Sequence, residues 1–294
     1  MARVIVEAAE QLLDQEIKVL DKGFVRLVDY MGSDERIVQA ARVSYGSGTK
    51  SFRQDKGLIN YLMRNQHTSP FEQVILTFHT KMPIFVARQW VRHRTARLNE
   101  ISGRYSIMKD EFYVPDAGQM RGQSDDNKQA RSDEIVDDAA AMIVEMEADQ
   151  RLIYDHYTGM VDQGLAREIA RSNLPLSLYT EWYWQIDLHN LFRFLHLRMD
   201  GHAQYEIRVY AEAMAKCSQA VSPLAYDAFE EHMLNSVRFS RQECVAMSAI
   251  MAGQANPLEG RALAIFEQKI ATMNAIRLPE DDDAGLAVGE VSPV

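Results

Sequence analysis

The stretch QVILTFHTKMPIFVARQWVRHR (residues 73–94) contains a change of hydrophobic period that decides the fold. In its first part, QVILTFHTK (73–81), the apolar Val74, Leu76 and Phe78 are set against the polar Thr77, His79 and Lys81, which is the pattern of a strand with one covered face. Pro83 then opens a pattern of helical period, and proline is preorganised for the first position of a helix. The stretch therefore predicts a strand of an antiparallel sheet, followed by a helix that ends near Arg94.

Patterns on the N-terminal side predict further elements. GFVRLVDY (23–30) indicates a strand, and SDERIVQAARVSY (33–45) indicates a helix that is capped by Ser33 and has acids in its first turn. YGSGTKS (45–51) lacks the four-residue gap of a phosphate-binding loop and follows a helix, so we interpret it as an ordinary loop. The polar segment 116–133, rich in Gly and Asp, is also predicted to be a surface loop.

Almost everything after residue 132 has helical period. The predicted helices are 132–163, 165–173, 176–200, 202–220, 223–235 and 257–276, the last one capped by Asn256. No internal repeat and no linker interrupts the chain. The fold class is therefore α+β, a single domain in which an antiparallel sheet is packed by long helices and the C-terminal half is helical.

The composition argues against several classes of protein. The 294 residues carry a formal net charge of −10, with 47% hydrophobic and 25% charged residues, which is ordinary for a soluble globular protein. No membrane span is predicted, and the N-terminus lacks the unbroken apolar run of a secretory signal, so we expect a cytoplasmic protein. The two cysteines, Cys217 and Cys244, form neither a metal-binding nor a disulfide pattern and are predicted to be core thiols.

The segment from Arg88 to Arg104, called the basic island below, gathers five arginines and one histidine in an acidic chain. Nucleic-acid binding needs a broad array of Lys and Arg, so a single island suits a small, highly anionic ligand better. The alternative is a solvated basic face that is paired with acids elsewhere. On a helix that ends near Arg94, Arg88 and Arg92 would face one way while His93 turned to a neighbouring face, so one helix could serve two ligands.

The loop after this helix can hydrogen-bond a sugar, a base edge and a phosphate together. Its polar members are Glu100, Ser102, Arg104 and Tyr105, and Gly103 would let the backbone approach a ligand. The segment RHRTARLNEISGRYS (92–106) resembles the signature of the flavin-dependent thymidylate synthases. That signature runs Arg-His-Arg, two residues, Ser, one residue, Asn-Glu, one residue, Ser, one residue, Arg-Tyr.

The resemblance covers about residues 20 to 235. The segments ARVSY, HTSPFEQVILTFHTKMPIFVARQW, LAREIARSNLPLSLYTEWYW and LRMDGHAQYEIR are each similar to family segments, in the same order along the chain. The resemblance implies a homotetramer that makes dTMP from dUMP, with methylenetetrahydrofolate as the carbon donor, FAD as the redox cofactor and NADPH as the reductant. It also implies that the sites lie where subunits meet, and that the basic island and residues 187–193 of one site come from different subunits.

By the motif match, the resemblance implies two sets of site residues. The residues that would hold dUMP are Gln89, Trp90, Val91, Arg92, Glu100, Ile101, Ser102, Gly103, Arg104, Arg171 and Arg198. The residues that would face FAD are Ser44, His67, Ser69, Glu72, Arg92, His93, Arg94, Arg97, Glu100, Asp187, Leu188, His189 and Arg193. Arg198 would be the catalytic residue and would lie against the uracil. The clustered arginines make physical sense for such ligands, because charge-assisted hydrogen bonds to phosphate are roughly twice as strong as neutral ones.

Arg198 has a chemical reason for its place beside the base. Uracil carbon 5 is a poor nucleophile until negative charge is pushed into the ring, and a guanidinium at the imide edge favours that anionic form. The alternative for Arg198 is an ion pair with Asp200 or Glu206 on a surface helix. Neither cysteine fits the role of a thiolate nucleophile, which needs cations nearby, so the resemblance implies that the flavin takes over that role.

One residue departs from the signature, because Arg97 stands where the family has its first serine. An arginine there can either reach the phosphates of the flavin nucleotide or swing into solvent, and we expect the first, since cations are attracted to an anionic cofactor even when partly exposed. A metal site is not expected. The three histidines His189, His196 and His202 lack the spacing of a known zinc motif.

Two rival functions stay open at this point. The chain could be a catalytically silent nucleotide- and flavin-binding regulatory module on the same scaffold, its turnover lost through Arg97. It could also be an RNA-binding protein that uses the basic island, which its acidic balance disfavours. The expected organisation is a catalytic domain over residues 1–240, a helical extension over 241–277 and a disordered acidic tail over 278–294.

Overall fold

The structure is a computed structural model, and it describes residues 4–43, 52–125 and 130–276. The loop predicted at 45–51 and the tail predicted at 278–294 lie outside the described residues. Contacts divide the chain into two compact units, Met1–Leu234 and Asn235–Val294. The α+β class with an antiparallel sheet and a helical C-terminal half is confirmed.

The sheet belongs to the first unit. Its strands are β1 (Glu16–Val19), β2 (Gly23–Met31), β3 (Ile75–Pro83), β4 (Arg97–Glu100) and β7 (Tyr179–Asp187), and a separate hairpin is formed by β5 (Arg121–Gln123) and β6 (Arg131–Ile135). The five strands of the sheet are antiparallel in the order β1-β2-β3-β7-β4. Because β7 lies between β3 and β4, it joins the C-terminal part of this unit to the basic island.

Helices surround the sheet in the first unit and form the second. They are α1 (Glu7–Glu10), α2 (Asp34–Ala41), α3 (Phe52–Arg64), α4 (Ile84–Trp90), α5 (Ala139–Asp162), α6 (Arg167–Ala170), α7 (Leu188–Arg198), α8 (Tyr205–Val221), α9 (Pro223–Phe229), α10 (Arg241–Met251) and α11 (Gly260–Ala275). Short 3-10 turns occupy Phe71–Gln73, Ala117–Gln119 and Arg171–Asn173, and a π turn, Glu230–Leu234, follows α9. None of these helices combines the length and the apolar character that a membrane-spanning segment requires.

The core of the first unit forms between one face of the sheet and the helices. Phe78 of β3 and Trp184 of β7 are register partners, and both are buried. Trp90 of α4 lies at the centre, with the rings of Trp182, Trp184, Phe194 and Tyr210 between 5.1 and 5.9 Å away. Such aromatic clusters bury large areas, so α4, and with it the start of the basic island, is firmly anchored.

The largest correction concerns residues 176–200, which are not one helix. Residues 179–187 form β7, because Trp182, Trp184 and Ile186 are buried on one face while Tyr183 is exposed on the other. That is a period of two, and the helix α7 begins only at Leu188. The predicted loop 116–133 was wrong in part, since it contains β5 and the start of β6.

Several helix ends also differ from the prediction. The helix after β3 ends at Trp90 instead of Arg94, and Pro83 is its N-cap and the last residue of β3. The long helix predicted from 132 begins at Ala139, because 131–135 are paired in a hairpin. Ser33 occupies the N-cap position of α2, but its side chain makes no capping hydrogen bond. The helix predicted at 257–276 begins at Gly260 with Glu259 as its N-cap.

The second unit holds α10 and α11. Ser240 caps α10 in a capping box with Glu243, whose carboxylate also pairs with Lys269 of α11 at 2.7 Å. Phe266 is buried and contacts the ring of Phe239 with 6.3 Å between the centroids. These contacts tie the two helices of this unit together.

Candidate active site

The sheet brings the two predicted site segments together within one chain. Asp187 ends β7 and caps α7, accepting a hydrogen bond from the backbone N–H of Asn190 at 2.9 Å. Residues 91–94 leave α4 in a turn, where the N–H of His93 bonds the carbonyl of Trp90 at 3.0 Å. The turn after α4 and one face of α7 line one cavity.

This cavity has a volume of about 260 Å³. Its lining residues are Arg92, His93, Arg94, Thr95, Ile186, Asn190, Arg193 and Leu197. The basic island and residue 193 thus meet inside one chain, and the expected contribution of a second subunit to the same site stays a prediction. Asn190 and Thr95 were missed by the sequence analysis, although the spacing of three from the capping Asp187 could have identified Asn190.

The cations at this cavity are unpaired in the part of the chain that the structure describes. Within the described residues, the guanidinium groups of Arg92, Arg94 and Arg193 have no carboxylate partner and no hydrogen-bond partner. By contrast, Arg104 pairs with Glu168 at 3.2 Å. Unpaired positive charge that converges on a concave site attracts anionic ligands, so the predicted alternative of a basic face neutralised by acids does not hold at the cavity.

Arg198, at the end of α7, lies beside both predicted sets of site residues. Its Nε donates to Nε2 of His93 at 3.1 Å, and one terminal nitrogen donates to the carbonyl oxygen of Gln89 at 3.1 Å. It makes no ion pair with Asp200, which instead bonds His202 at 2.8 Å, nor with Glu206. Burial lowers the pKa of the Arg198 guanidinium, but an arginine keeps its charge at any physiological pH.

His93 is held neutral by its surroundings. Burial lowers the pKa of its imidazole to about 4, and the positive charges of Arg198 and Arg193 contribute to this lowering. The ring also packs edge-on against Phe194 with 4.8 Å between the centroids. Because a neutral imidazole has one acceptor nitrogen, Nε2 accepts from Arg198 and Nδ1 carries the proton.

The loop from Glu100 to Tyr105 packs against the segment that carries Arg171. A Cβ added to Gly103 would lie 2.8 Å from Sδ of Met108 and 3.1 Å from Cδ of Arg171. A larger residue at 103 would therefore have to displace these side chains, while the predicted approach of a ligand to Gly103 stays a prediction. Glu100 accepts from the hydroxyl of Thr180 at 2.6 Å, and the hydroxyl of Ser102 accepts from the N–H of Arg104 at 3.3 Å.

Three further predicted flavin residues, Glu72, Asp187 and His189, lie near the start of α7. Burial lowers the pKa of His189, while the charges of Asp187 and Glu72 act in the opposite direction, so these three groups are neighbours. Glu72 accepts from the hydroxyl of Thr68 at 3.3 Å. His67 and Ser69 are exposed in the turn that leads to β3.

Some predicted residues cannot offer a side chain to a ligand in this arrangement. The side chains of Trp90 and Leu188 are fully buried in the core, so only their backbone atoms remain for binding. Val91 is half-buried, and Ile101 is 41% exposed at the end of β4. Ser44 lies outside the described residues.

Arg97 lies on β4 and does not line the cavity. Its guanidinium is exposed and donates to Oε1 of Gln185 at 3.4 Å, directly across the register from it. Its role toward a phosphate stays a prediction.

The cysteines, the potential metal ligands and a second hollow offer less for a reaction. Cys217 is buried, and burial raises its pKa to about 12, whereas Cys244 is exposed and thus is not the core thiol that the sequence analysis expected. Among the described residues, no group of three or more His, Cys, Asp or Glu side chains could hold a metal ion. A larger hollow of about 740 Å³ lies along the β5–β6 hairpin, but its lining is rich in Asp and Glu and contains no predicted site residue.

Known proteins are similar to this chain over most of its length. Residues 26–224 match the family described as Thymidylate synthase complementing protein, and residues 237–276 match the Thymidylate synthase ThyX C-terminal domain, which extends the similarity beyond the predicted limit near 235. The flavin-dependent thymidylate synthase of Treponema denticola is 60% identical over 260 residues, which cover 88% of this chain and 98% of that protein. The one from Treponema pallidum is 54% identical over 272 residues, covering 92% and 89%.

A solved structure gives the same result. The UMP/dUMP methylase PolB of Streptomyces cacaoi, bound with 5-Br dUMP, superposes with a TM-score of 0.68 and 34% identity, covering 74% of this chain and 99% of that chain. Both the sequence and the fold therefore point to one group of enzymes. The chain belongs to the flavin-dependent thymidylate synthase family.

Proposed function

We propose that this chain catalyses the reductive methylation of dUMP to dTMP, with methylenetetrahydrofolate as the carbon donor, FAD as the cofactor and NADPH as the reductant. The observation that carries the proposal is the position of Arg198. Its guanidinium contacts Gln89 of the predicted dUMP set and His93 of the predicted flavin set at once. A group at that junction can act on a base that lies next to a flavin.

The donor set at the cavity fits FAD. The diphosphate of this cofactor carries two negative charges, and Arg92, Arg94 and Arg193 offer guanidinium groups that no carboxylate of the described residues neutralises. We propose that these residues hold the nucleotide together with His93, His189 and Glu72, and that Ser44, His67, Ser69, Arg97, Glu100, Asp187 and Leu188 complete the site. When bound, FAD supplies the reduction and the transfer of the one-carbon unit to the base.

The chain's own residues would bind and polarise dUMP. Arg171 would hold the 5′-phosphate with Ser102 and the backbone of the loop around Gly103, and Arg104 would join them by exchanging its exposed ion pair with Glu168 for the phosphate. The guanidinium of Arg198 would stabilise negative charge on the imide edge of the uracil, which makes carbon 5 nucleophilic. The neutral imidazole of His93 supports this role. It accepts the Nε–H of Arg198 and holds the guanidinium in place, and it carries no positive charge that would draw the negative charge of the base away from Arg198.

No cysteine of the chain suits the alternative chemistry of a thiolate nucleophile. The Cys217 thiol has a raised pKa because it is buried, and a protonated thiol is a poor nucleophile. Cys244 is exposed in the second unit, and none of the residues assigned to a ligand belongs to that unit. The activation of the base therefore rests on Arg198 and the bound cofactor.

The proposal also covers the location, the oligomeric state and the domain organisation of the enzyme. We expect a cytoplasmic homotetramer, a catalytic domain over residues 1–240 and a helical extension over 241–277. A neighbouring subunit would add its contacts to a cavity that residues of both flavin segments already line within one chain. Light scattering of the FAD-loaded and FAD-free protein at one concentration measures this assembly directly.

The enzyme can be identified from the purified protein. We expect a yellow preparation with flavin absorbance, whose reduced form is reoxidised in step with dTMP formation when dUMP and methylenetetrahydrofolate are supplied. A protein that binds flavin and dUMP without forming dTMP would instead support the regulatory module. Retention of RNA that is sensitive to salt would support the nucleic-acid alternative.

A further inference from the structure

A chain of side-chain hydrogen bonds leads from a buried carboxylate to the predicted dUMP site. Glu206, in the first turn of α8, accepts through Oε2 from Nε2 of Gln204 at 2.8 Å. Oε1 of Gln204 accepts in turn from Nε2 of Gln89 at 2.5 Å. Neither Gln204 nor Glu206 belongs to the residues assigned above to dUMP or FAD, yet the bonds that start from them end on one of those residues.

Glu206 is a fixed, ionised anchor. Only 1% of the residue is exposed, and its Oε1 accepts from Arg131 of β6 and, at 3.0 Å, from the hydroxyl of Tyr113. Burial alone would raise the pKa of this carboxyl, but the hydrogen bond and the charge of Arg131 outweigh it, so that the pKa lies below its usual value. With donors on both oxygens, the carboxylate has one stable arrangement.

The charge of this anchor sets the direction of the whole chain of hydrogen bonds. An ionised carboxylate can only accept, so Gln204 must turn its amide nitrogen toward Glu206 and its amide oxygen toward Gln89. Gln89 must then turn its own nitrogen toward Gln204. Each amide is thereby held in one of its two otherwise similar orientations.

Gln89 is also the residue at which these hydrogen bonds meet Arg198. Its carbonyl oxygen accepts from the Arg198 guanidinium at 3.1 Å, and its side chain is half-buried in the last turn of α4. We propose that Gln204, anchored by Glu206, is a positioning residue that fixes the side chain of Gln89 for dUMP. This inference rests on the proposed function, because it takes Gln89 as part of the dUMP site.

A purely structural role predicts a different result. The contact between Gln89 and Gln204 also joins α4 to the start of α8. If its role were only structural, its loss would loosen this packing and lower the affinity for both ligands as well as the stability of the fold. A positioning role affects dUMP alone, because no bond given above joins Gln204 to a residue of the FAD set. The two roles therefore separate in the affinities for dUMP and FAD, measured on the same protein.

The test is calorimetric titration of dUMP into the FAD-loaded protein, with Gln204→Met as the variant. Methionine keeps the length of the side chain but has no amide. We expect the Kd for dUMP to rise about tenfold, the loss expected for one well-placed hydrogen bond, while the Kd for FAD and turnover at saturating dUMP stay within about twofold. A second variant, Glu206→Gln, keeps the shape but allows the amides to reverse, and it should raise the Kd for dUMP about threefold.

Gln150→Met is the matched control. Gln150 is a buried amide that donates to the carbonyl of Tyr113 at 3.0 Å and does not contact Gln89, so this variant should lose thermal stability but bind dUMP like the parent. An unchanged Kd for dUMP in Gln204→Met, or in Glu206→Gln if Gln204→Met does not fold, would overturn the inference alone. An equal rise in the Kd for FAD would also overturn the inference. An equal rise in the Kd for dUMP in Gln150→Met would do the same. A parent protein that binds no dUMP would overturn the proposed function as well.

Discussion

Two arginine contacts of the first unit differ in how their charge is balanced. Arg131 meets the ionised carboxylate of Glu206, whereas Arg198 meets a neutral imidazole and a backbone carbonyl. The first cation is neutralised by a carboxylate, and the second contacts no carboxylate of the described residues. A paired charge contributes to the fold, whereas an unpaired charge beside a cavity is available to an anionic ligand.

The difference extends to the neighbours of each arginine. Glu206 has donors on both oxygens, so nothing there is left for a ligand. The pKa of the His93 imidazole, which Arg198 contacts, is lowered by burial and by the positive charges of Arg198 and Arg193. No carboxylate of the described residues is among the groups that shift it. We call the Arg131 contact closed, because its charge is paired with a carboxylate, and the Arg198 contact open, because it contacts no carboxylate of the described residues. Both contacts lie in the first unit.

The largest expected effect comes from removing the open cation. Arg198→Ala should lower the rate of dTMP formation by about 10²–10³, because an electrostatic stabiliser of the anionic base is lost. Flavin absorbance should persist, since the proposed contacts to the FAD phosphates come from other arginines. The matched control is Arg208→Ala, whose arginine pairs with Glu212 on the surface. A rate of Arg198→Ala within about threefold of the parent would rule out the assigned role.

Removing the cation of the closed pair should affect stability more than turnover at saturating dUMP. Arg131→Met leaves the carboxylate of Glu206 buried without its cation, and we expect the free energy of unfolding to fall by about 3 kcal/mol. Chemical denaturation measures the loss. The matched control on the same hairpin is Arg121→Met, whose partner Asp133 is fully exposed, so that about 0.5 kcal/mol or less should be lost. Equal losses in the two variants would contradict the claim that the Arg131–Glu206 pair contributes more to the fold than an exposed ion pair does.

The neutral imidazole beside Arg198 predicts a pH dependence. In the unfolded chain His93 takes up a proton near its ordinary pKa of 6.5, whereas in the folded chain it does so only at about 4. The unfolded state therefore binds more protons within this window, and stability falls as the pH drops through it. His93→Gln should remove part of that fall.

The measurement is the thermal midpoint at about pH 7 and about pH 5. Because His93 is only half-buried, we expect its share of the fall to be roughly 2–4 °C, which corresponds to about 1 kcal/mol. His196→Gln, which changes an exposed histidine of α7, is the control and should keep the full fall. An identical fall in parent and His93→Gln would mean that His93 is not held neutral.

The smallest effect is expected at Arg97, which does not line the cavity. Arg97→Ser restores the residue of the family signature and removes only an exposed contact with Gln185. Turnover should stay within about threefold, in line with a surface substitution. The salt dependence of FAD affinity then decides between the two positions considered for this side chain. We expect a smaller slope than in the parent, because Arg97 is proposed to reach a phosphate of FAD, and an equal slope would mean that it does not contact phosphate.

Local patterns predicted part of the fold well. The strands at 23–31 and 75–83 were found because each has a clear apolar alternation or run. The strand β7 was missed, although Trp182, Trp184 and Ile186 are spaced by two, because the apolar residues of α7 follow it directly and suggest one long helix. Pairing with β3 and β4 decides between the two periods, and that pairing is not local in sequence.

The site was predictable by residue type but not by arrangement. The motif identified His93 and Arg198, but not that they bond each other. Nothing in the spacing indicated that Gln204 connects Gln89 to Glu206, because that contact depends on the packing of α4 against α8. Contacts between distant segments follow from the tertiary fold, so they need the structure.

An open cation at the end of α7 is proposed to activate a uracil ring for methylation. Release of tritium from dUMP labelled at carbon 5 tests this proposal at the reacting atom itself, because methylation must replace the hydrogen there. With FAD, NADPH and methylenetetrahydrofolate present, we expect the purified protein to release tritium in step with dTMP formation, and Arg198→Ala to lose both together. A yellow protein that binds dUMP but releases no tritium would contradict the proposal.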